Sequence, residues 1–333
     1  MQVTDSVHNA SGDGAVVISP AKRMRLCMYL APLVLTPLTI LVAAIFIVPT
    51  DWFAMRSHSD YILTAGYGSQ LHNADCAVTI YGDSTAMVGV NPKQIAERTG
   101  LSTCNVAEVV GMTMLFDTMV LDQFLARNPR PRFIVFLFAP ENFDPQSQRN
   151  NPEMSKFEAI RYRFKQPQKL LGVMQLMRHP EDFFLWSERG IRMAVGEIFT
   201  KPFPPETRVI RFKSLGQLQL KEPDLVSCSP HSLAVEPDKQ WVQSLRSEYS
   251  GEGTTVLVDA MPLPTCDPDL AYFQRTLSGV IDNRLGSLPA ADYYSGASSV
   301  GRHANAHGSV PLSNMIADQI LDRLHSSSTI GVH

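Results

Sequence analysis

The sequence predicts an α/β fold, a parallel sheet with helices on both faces, preceded by one transmembrane helix. Short runs of β-branched and aromatic residues alternate with longer helical stretches, a pattern typical of parallel sheets. One of these runs, Phe133–Phe138, is continuously apolar, as expected of a strand buried on both faces. In addition, no residue of segment 26–48 is charged. These observations together predict an anchored α/β domain.

The uncharged segment is long enough to cross a membrane, because a helix rising about 1.5 Å per residue over 26–48 spans a hydrocarbon core of roughly 30 Å. Basic residues precede it, at Lys22, Arg23 and Arg25. The excess of positive charge on this side predicts a cytoplasmic tail at 1–25, an anchor at 26–48 and an extracytoplasmic domain at 51–333. A cleaved signal peptide and a buried core helix are the alternatives.

The predicted elements of the outer domain follow in order along the chain. Strands are predicted at 77–81, 103–107, 133–138 and 254–259. Helices are predicted from Ser84 to Thr99, at 112–126, 238–249, 267–285 and 309–324. The alternation lapses at about 145–225, which we interpret as a helical insertion.

The insertion has a basic bias. Residues 151–215 contain twelve basic and seven acidic side chains, an excess of five positive charges. Such a surface is either an ordinary solvated face or a lid or patch that lies on anionic lipid headgroups. The whole chain, with 29 basic and 32 acidic residues, has no general excess of positive charge, which argues against nucleic acid as a partner.

Four cysteines follow the anchor, which permits two disulfides in an oxidising compartment. Three pairings are open. We favour Cys76 with Cys104 and Cys228 with Cys266, because the first two flank neighbouring strands. Without a C-x-x-C spacing, neither a zinc site nor another cofactor is predicted.

A serine at the end of the first predicted strand has the position of a nucleophile. Ser84 ends the tripeptide Gly82-Asp83-Ser84 and begins a helix, so backbone N–H groups of the first helical turn surround it. Such groups stabilise an oxyanion formed at the serine. The same tripeptide also forms ordinary turns and helix caps.

Four short motifs follow one another along the chain. Ser84 stands in the first, Gly111 in NVAEVVGMT, Asn142 in FLFAPEN and His303 in HANAHG. In this order they resemble the four blocks of the SGNH/GDSL hydrolase superfamily, which supply serine, glycine, asparagine and histidine. The resemblance covers roughly residues 75–145 and 254–325. It implies a flavodoxin-like, three-layer α/β fold, His303 as the catalytic histidine, and an oxyanion hole of Ser84, Gly111 and Asn142.

The last block departs from the family at one position, because Val300 stands where the family has an aspartate three residues before the histidine. Three readings remain open: a Ser–His dyad, an acid supplied by Asp292 or Asp259, or an impaired site. His307 is an alternative base. It lies four residues after His303, but no metal site is predicted there, because the two precede the helix and no glutamate lies between them.

The resemblance implies a membrane-anchored serine esterase or O-acyltransferase that acts on acyl esters, above all acetyl esters, of envelope or extracellular polysaccharide. Its substrates would be acylated carbohydrates or small esters, with an envelope acyl-donor protein as a candidate partner. The expected location is a bacterial inner membrane, with the domain in the periplasm. The alternative is a catalytically impaired protein of this fold that binds polysaccharide or an envelope assembly partner.

Overall fold

A four-stranded parallel sheet forms the centre of the computed structural model, which describes residues 20–47, 66–109, 118–144, 211–251, 253–296 and 302–329. The strands are β1 Val78–Gly82, β2 Thr103–Asn105, β3 Phe133–Phe138 and β4 Thr255–Ala260. Their order is β2-β1-β3-β4, and each neighbouring pair is parallel. The predicted α/β class is therefore confirmed.

The described chain also contains α-helices and two very short strands. The helices are α1 Pro20–Ile47, α2 Gly66–Gln70, α3 Ser84–Gly89, α4 Pro92–Thr99, α5 Met119–Leu125, α6 Lys239–Tyr249, α7 Leu270–Thr276 and α8 Ala306–Thr329. The short strands β5 Leu263–Pro264 and β6 Ser287–Leu288 pair in parallel beside the main sheet.

Both faces of the main sheet are buried. Alternate residues of β3 belong to two apolar clusters, with Phe136 in one and Val135 in the other. The first cluster includes residues of α5 and α6, and the second includes residues of α3, α4 and α8. Because all six residues of β3 are buried, a continuously apolar strand fits this position. The arrangement is compatible with the three-layer fold.

The strand order determines where functional side chains meet. The chain leaves β1 for β2 on one side, whereas β3 lies on the other side, so the switch point of the topology lies between β1 and β3. Ligands of open α/β sheets bind at such a point, outside the carboxyl ends of the strands. Gly82 allows the close approach there, because a Cβ on it would lie 1.8 Å from the carbonyl oxygen of Leu137.

Two helix predictions need correction. The stretch from Ser84 to Thr99 forms two helices, because the Asn91 side chain caps α4 and Pro92 begins it. The helix predicted at 267–285 is wrong in its extent, since α7 covers only Leu270–Thr276. Beyond it the chain turns and meets β4 at Asp282, whose N–H donates to the Val258 carbonyl oxygen at 2.9 Å.

Other boundaries differ more mildly. The helix predicted at 112–126 is described as Met119–Leu125, and residues 110–117 lie outside the described part of the chain. Residues 145–210 of the proposed insertion also lie outside it. Its last part packs on the domain, because Arg211 is buried and the Leu218 N–H donates to the Met87 carbonyl oxygen at 3.0 Å.

Both favoured disulfides are present. Cys76 pairs with Cys104, and Cys228 pairs with Cys266. The first joins the segment before β1 to β2, and the second joins the loop before α6 to the loop before α7. The predicted pairing is therefore confirmed.

The N-terminal helix α1 has 28 residues and begins before the predicted anchor, at Pro20. Many of its large apolar side chains are exposed, among them Met28, Tyr29, Leu33, Val34, Leu35 and Leu38. Over the described residues, no helix reaches the length and hydropathy of a membrane-crossing segment.

Candidate active site

The turn after β1 places Ser84 at the first residue of α3. Asp83 is the N-cap of this helix, and its carboxylate accepts a hydrogen bond from the Thr85 N–H at 2.9 Å. Ser84 itself remains partly exposed, whereas Asp83 is fully buried. The Ser84 hydroxyl is thus presented at the carboxyl end of the sheet, beside the first N–H groups of a helix.

His303 lies in the segment that leads into α8. The segment pairs with the strand-like residues before it, since the Tyr294 N–H donates to the His303 carbonyl oxygen at 2.9 Å. The Asn305 side chain caps α8 by accepting from the N–H groups of His307 and Gly308 at 2.9 and 3.1 Å. A Cβ on Gly308 would lie 2.2 Å from the Asp292 carbonyl oxygen. The asparagine and glycine of the last motif therefore have structural reasons for their spacing.

The fold brings these two predicted residues together. His303 Nε2 lies 2.9 Å from Ser84 Oγ, although 219 positions separate the residues in sequence. With Nε2 unprotonated, the imidazole accepts the hydroxyl proton, which is the geometry of a general base and its nucleophile. His303 is only 6% exposed, so little water competes for this contact.

The candidate oxyanion-hole asparagine lies beside the serine turn. Asn142 Nδ2 donates to Asp83 Oδ2 at 2.7 Å, and the Ala139 N–H donates to the same oxygen at 2.7 Å. An amide group has two N–H bonds, so one remains for a bound oxyanion. The Asp83 carboxylate thus joins the turn after β1 to the turn after β3. Gly111, the third predicted donor, lies outside the described residues.

Asp259 and Asp292 are the two candidate acids. The Asp259 carboxylate has another partner, because its Oδ1 accepts from the Asn283 N–H at 2.9 Å. Asp292 is joined to the histidine segment through its backbone, whose carbonyl oxygen accepts from the Asn305 N–H at 2.9 Å. Within the described chain, neither carboxylate hydrogen-bonds to His303. Burial raises the pKa of Asp259 from 3.8 to about 6, despite the hydrogen bond from Asn283. Val300 lies outside the described residues.

A buried carboxyl group follows β2 close to the serine turn. The Glu108 N–H donates to the Gly82 carbonyl oxygen at 3.0 Å, and its side chain is completely buried. Burial raises the pKa of Glu108 well above its usual value, and the Arg211 guanidinium only partly offsets this. The shift favours the neutral, protonated form of the Glu108 carboxyl group.

Arg302, which sequence reasoning missed, is buried beside His303. Its guanidinium forms ion pairs with three carboxylates, those of Glu141, Asp267 and Asp269. Burial raises the pKa of Glu141, although Arg302 opposes this effect. The only sequence signal for this residue is its position next to the candidate base.

Apart from His303, the histidines in the described part of the chain are exposed. His307 is exposed on the first turn of α8, whereas His303 is the histidine that contacts the Ser84 hydroxyl. His72 and His231 are also exposed, and His179 lies outside the described residues. Among the side chains that the structure describes, no group of histidine, cysteine and acidic residues is arranged to hold a metal ion.

Comparison with known proteins finds no family model, no curated protein and no solved structure that matches this chain. Functional inference therefore depends on the serine–histidine pair and on the residues that hold it.

Proposed function

We propose that this protein is a membrane-anchored serine esterase or O-acyltransferase of the SGNH type. One observation carries the proposal, the 2.9 Å contact between Ser84 Oγ and His303 Nε2. It is supported by the position of the pair at the carboxyl end of a parallel sheet, next to the switch point between β1 and β3. It is also supported by the order of the four motifs to which these residues belong.

The chemistry begins with proton transfer. His303 Nε2 takes the proton from Ser84 Oγ while the oxygen attacks the ester carbonyl carbon. The tetrahedral oxyanion accepts hydrogen bonds from the Ser84 N–H and the Asn142 amide, with Gly111 as the further donor that the motif implies. The imidazolium then protonates the leaving alcohol as the C–O bond breaks. Water or a sugar hydroxyl attacks the acyl-enzyme by the reverse sequence of proton transfers.

The proposed substrates are acyl esters of envelope polysaccharide, with acetyl as the foremost acyl group. Two disulfides in the domain fit an oxidising compartment outside the cytoplasm. The uncharged sequence of 26–48 and the exposed apolar side chains of α1 support a membrane anchor. We propose a single-pass protein with its N-terminus in the cytoplasm and the domain in the periplasm of a bacterium. A periplasm-dependent reporter fused after His333 that stays inactive would reject this orientation.

The experiment uses the full chain in detergent micelles. Wild type, Ser84→Ala and the control Ser326→Ala, an exposed serine of α8, are compared for p-nitrophenyl acetate hydrolysis and for labelling by a fluorophosphonate. We expect labelling of Ser84 and a loss of turnover by a factor of about 10³ or more in Ser84→Ala. Equal turnover by wild type and Ser84→Ala would refute the proposal. Absence of both turnover and label would favour a protein that binds polysaccharide without catalysis.

A further inference from the structure

We propose that Arg302 is a positioning residue that keeps the base His303 aligned with the oxyanion-hole residue Asn142. This inference rests on the function proposed above. It assigns no chemical step to Arg302, whose guanidinium is held by carboxylates rather than directed at the serine.

Arg302 is fixed by a set of short contacts. Its Nε donates to Asp267 Oδ2 at 2.9 Å and its Nη2 to Asp267 Oδ1 at 3.0 Å, a bidentate pair. Nη2 also donates to Asp269 Oδ2 at 3.1 Å, and Nη1 donates to Glu141 Oε2 at 2.6 Å. Only 6% of the Arg302 side chain is exposed. A lysine would keep the charge at this position but lose the planar fork.

Two other contacts join the segments that carry the site. The turn after β1 is joined to the turn after β3 by a hydrogen bond that Asn142 Nδ2 donates to Asp83 Oδ2 at 2.7 Å. The turn after β1 is joined to the histidine segment by Ser84 and His303. The second of these contacts consists of the reacting atoms, so it changes during each catalytic cycle.

The ion pair between Arg302 and Glu141 joins the remaining two segments, the histidine segment and the turn after β3. Arg302 directly precedes His303, and Glu141 directly precedes Asn142. The pair therefore joins the backbone of the base to the backbone of the oxyanion donor without using a reacting atom. When Ser84 is acylated, its contact with His303 is lost. The ion pair between Arg302 and Glu141 remains and still fixes the distance between His303 and Asn142.

The carboxylates on the far side hold the guanidinium in place. Hydrogen bonds from Ser232, Leu233 and Arg302 outweigh the effect of desolvation and lower the pKa of Asp269. Asp267 follows Cys266, which the disulfide to Cys228 ties to another loop. Arg302 is thus anchored on one side by a disulfide-braced loop and reaches Glu141 on the other.

The test compares Arg302→Lys and Glu141→Ala with Arg98→Lys in the full chain in detergent micelles. Arg98 pairs with Asp318 at the surface, where both side chains are about half exposed, so it serves as the matched control. We expect kcat for p-nitrophenyl acetate to fall by a factor of about 10² in the first two variants, with KM within about twofold of wild type, because small misplacements of catalytic groups slow chemistry. Arg98→Lys should retain full turnover.

Two measurements separate positioning from a general loss of structure. Glu141→Gln keeps an acceptor for Nη1, so it should recover most of the turnover lost in Glu141→Ala at a matched melting temperature. The double variant Arg302→Lys/Glu141→Ala should be no slower than Arg302→Lys, because both changes break one link. If Arg302→Lys does not fold, the two Glu141 variants decide the question alone.

The outcomes separate this inference from the proposed function. If wild type is labelled on Ser84 and Arg302→Lys or Glu141→Ala keeps wild-type kcat, positioning by Arg302 is refuted and the esterase proposal stands. Additive losses in the double variant refute the link between the two loops. A wild-type chain that is not labelled on Ser84 refutes the proposed function, and the positioning role with it.

Discussion

The carboxyl group of Asp259 is expected to make the stability of the domain depend on pH. Asp259 is 2% exposed at the end of β4, and burial raises its pKa from 3.8 to about 6. Between these pH values the folded state binds more protons than the unfolded state, so the free energy of unfolding falls as pH rises. Because the two pKa values differ by about two units, the free energy of unfolding is about 3 kcal/mol lower above pH 6 than at low pH. At pH 4 it is about 0.5 kcal/mol lower.

The substitution Asp259→Asn removes this titration while keeping an oxygen that can accept the Asn283 N–H. As the pH rises from 4 to 8, the free energy of unfolding of the variant should therefore increase relative to that of wild type by about 2 to 2.5 kcal/mol. Thermal unfolding of the full chain in micelles measures the difference, expected as roughly 5–10 °C. Using the change between two pH values cancels any constant cost of the buried amide.

Two results would contradict this reasoning. If the melting temperatures of wild type and Asp259→Asn differ equally at pH 4 and pH 8, the carboxyl group does not titrate as its burial implies. Ester hydrolysis provides an independent check, because Asp259 binds Asn283 rather than His303. A loss of turnover by a factor of about 10⁴ in Asp259→Asn would instead make it the acid behind the base.

Three further substitutions test the site. Gly82→Ala should cost about 3 kcal/mol or more in thermal unfolding, because its Cβ would lie 1.8 Å from the Leu137 carbonyl oxygen; unchanged stability would refute this close approach. Asp83→Asn places N–H groups where the carboxylate accepts hydrogen bonds, so about 3 kcal/mol of stability and at least about tenfold in kcat should be lost; retention of both would show that the two turns need no such joint. His307→Ala should keep turnover within about twofold of wild type, whereas a large loss would move the role of base from His303 to His307.

The parts of the fold that were predictable depend on local periodicity. The apolar run of β3 and the strand before Ser84 identified the sheet, because a strand buried on both faces requires such runs. The position of Ser84 after a strand and of His303 before a helix also followed from local patterns. The extent of α7 did not follow from local patterns, because the chain after it turns to β4. The contact there, between Asp282 and Val258, joins residues that are remote in sequence.

The same reason explains what was missed at the site. Arg302 contacts Glu141 across 161 positions of sequence, and no sequence pattern links the two residues. The sequence predicts Asp83 only as part of a turn, whereas its second carboxylate oxygen joins two strand ends. Sequence motifs identified the side chains of the proposed reaction, whereas the side chains that hold them are determined by tertiary packing.

The distance in sequence between Ser84 and His303 has a consequence for the order of folding. Contacts between remote segments form slowly, because closing a long loop costs chain entropy. Synthesis from the N-terminus delivers Ser84 and Asn142 early, whereas His303 follows much later, just before α8. That helix also supplies Leu312 and Ile316 to the core. A chain interrupted before His303 and this helix would expose an apolar face of the sheet and would also lack the imidazole beside Ser84.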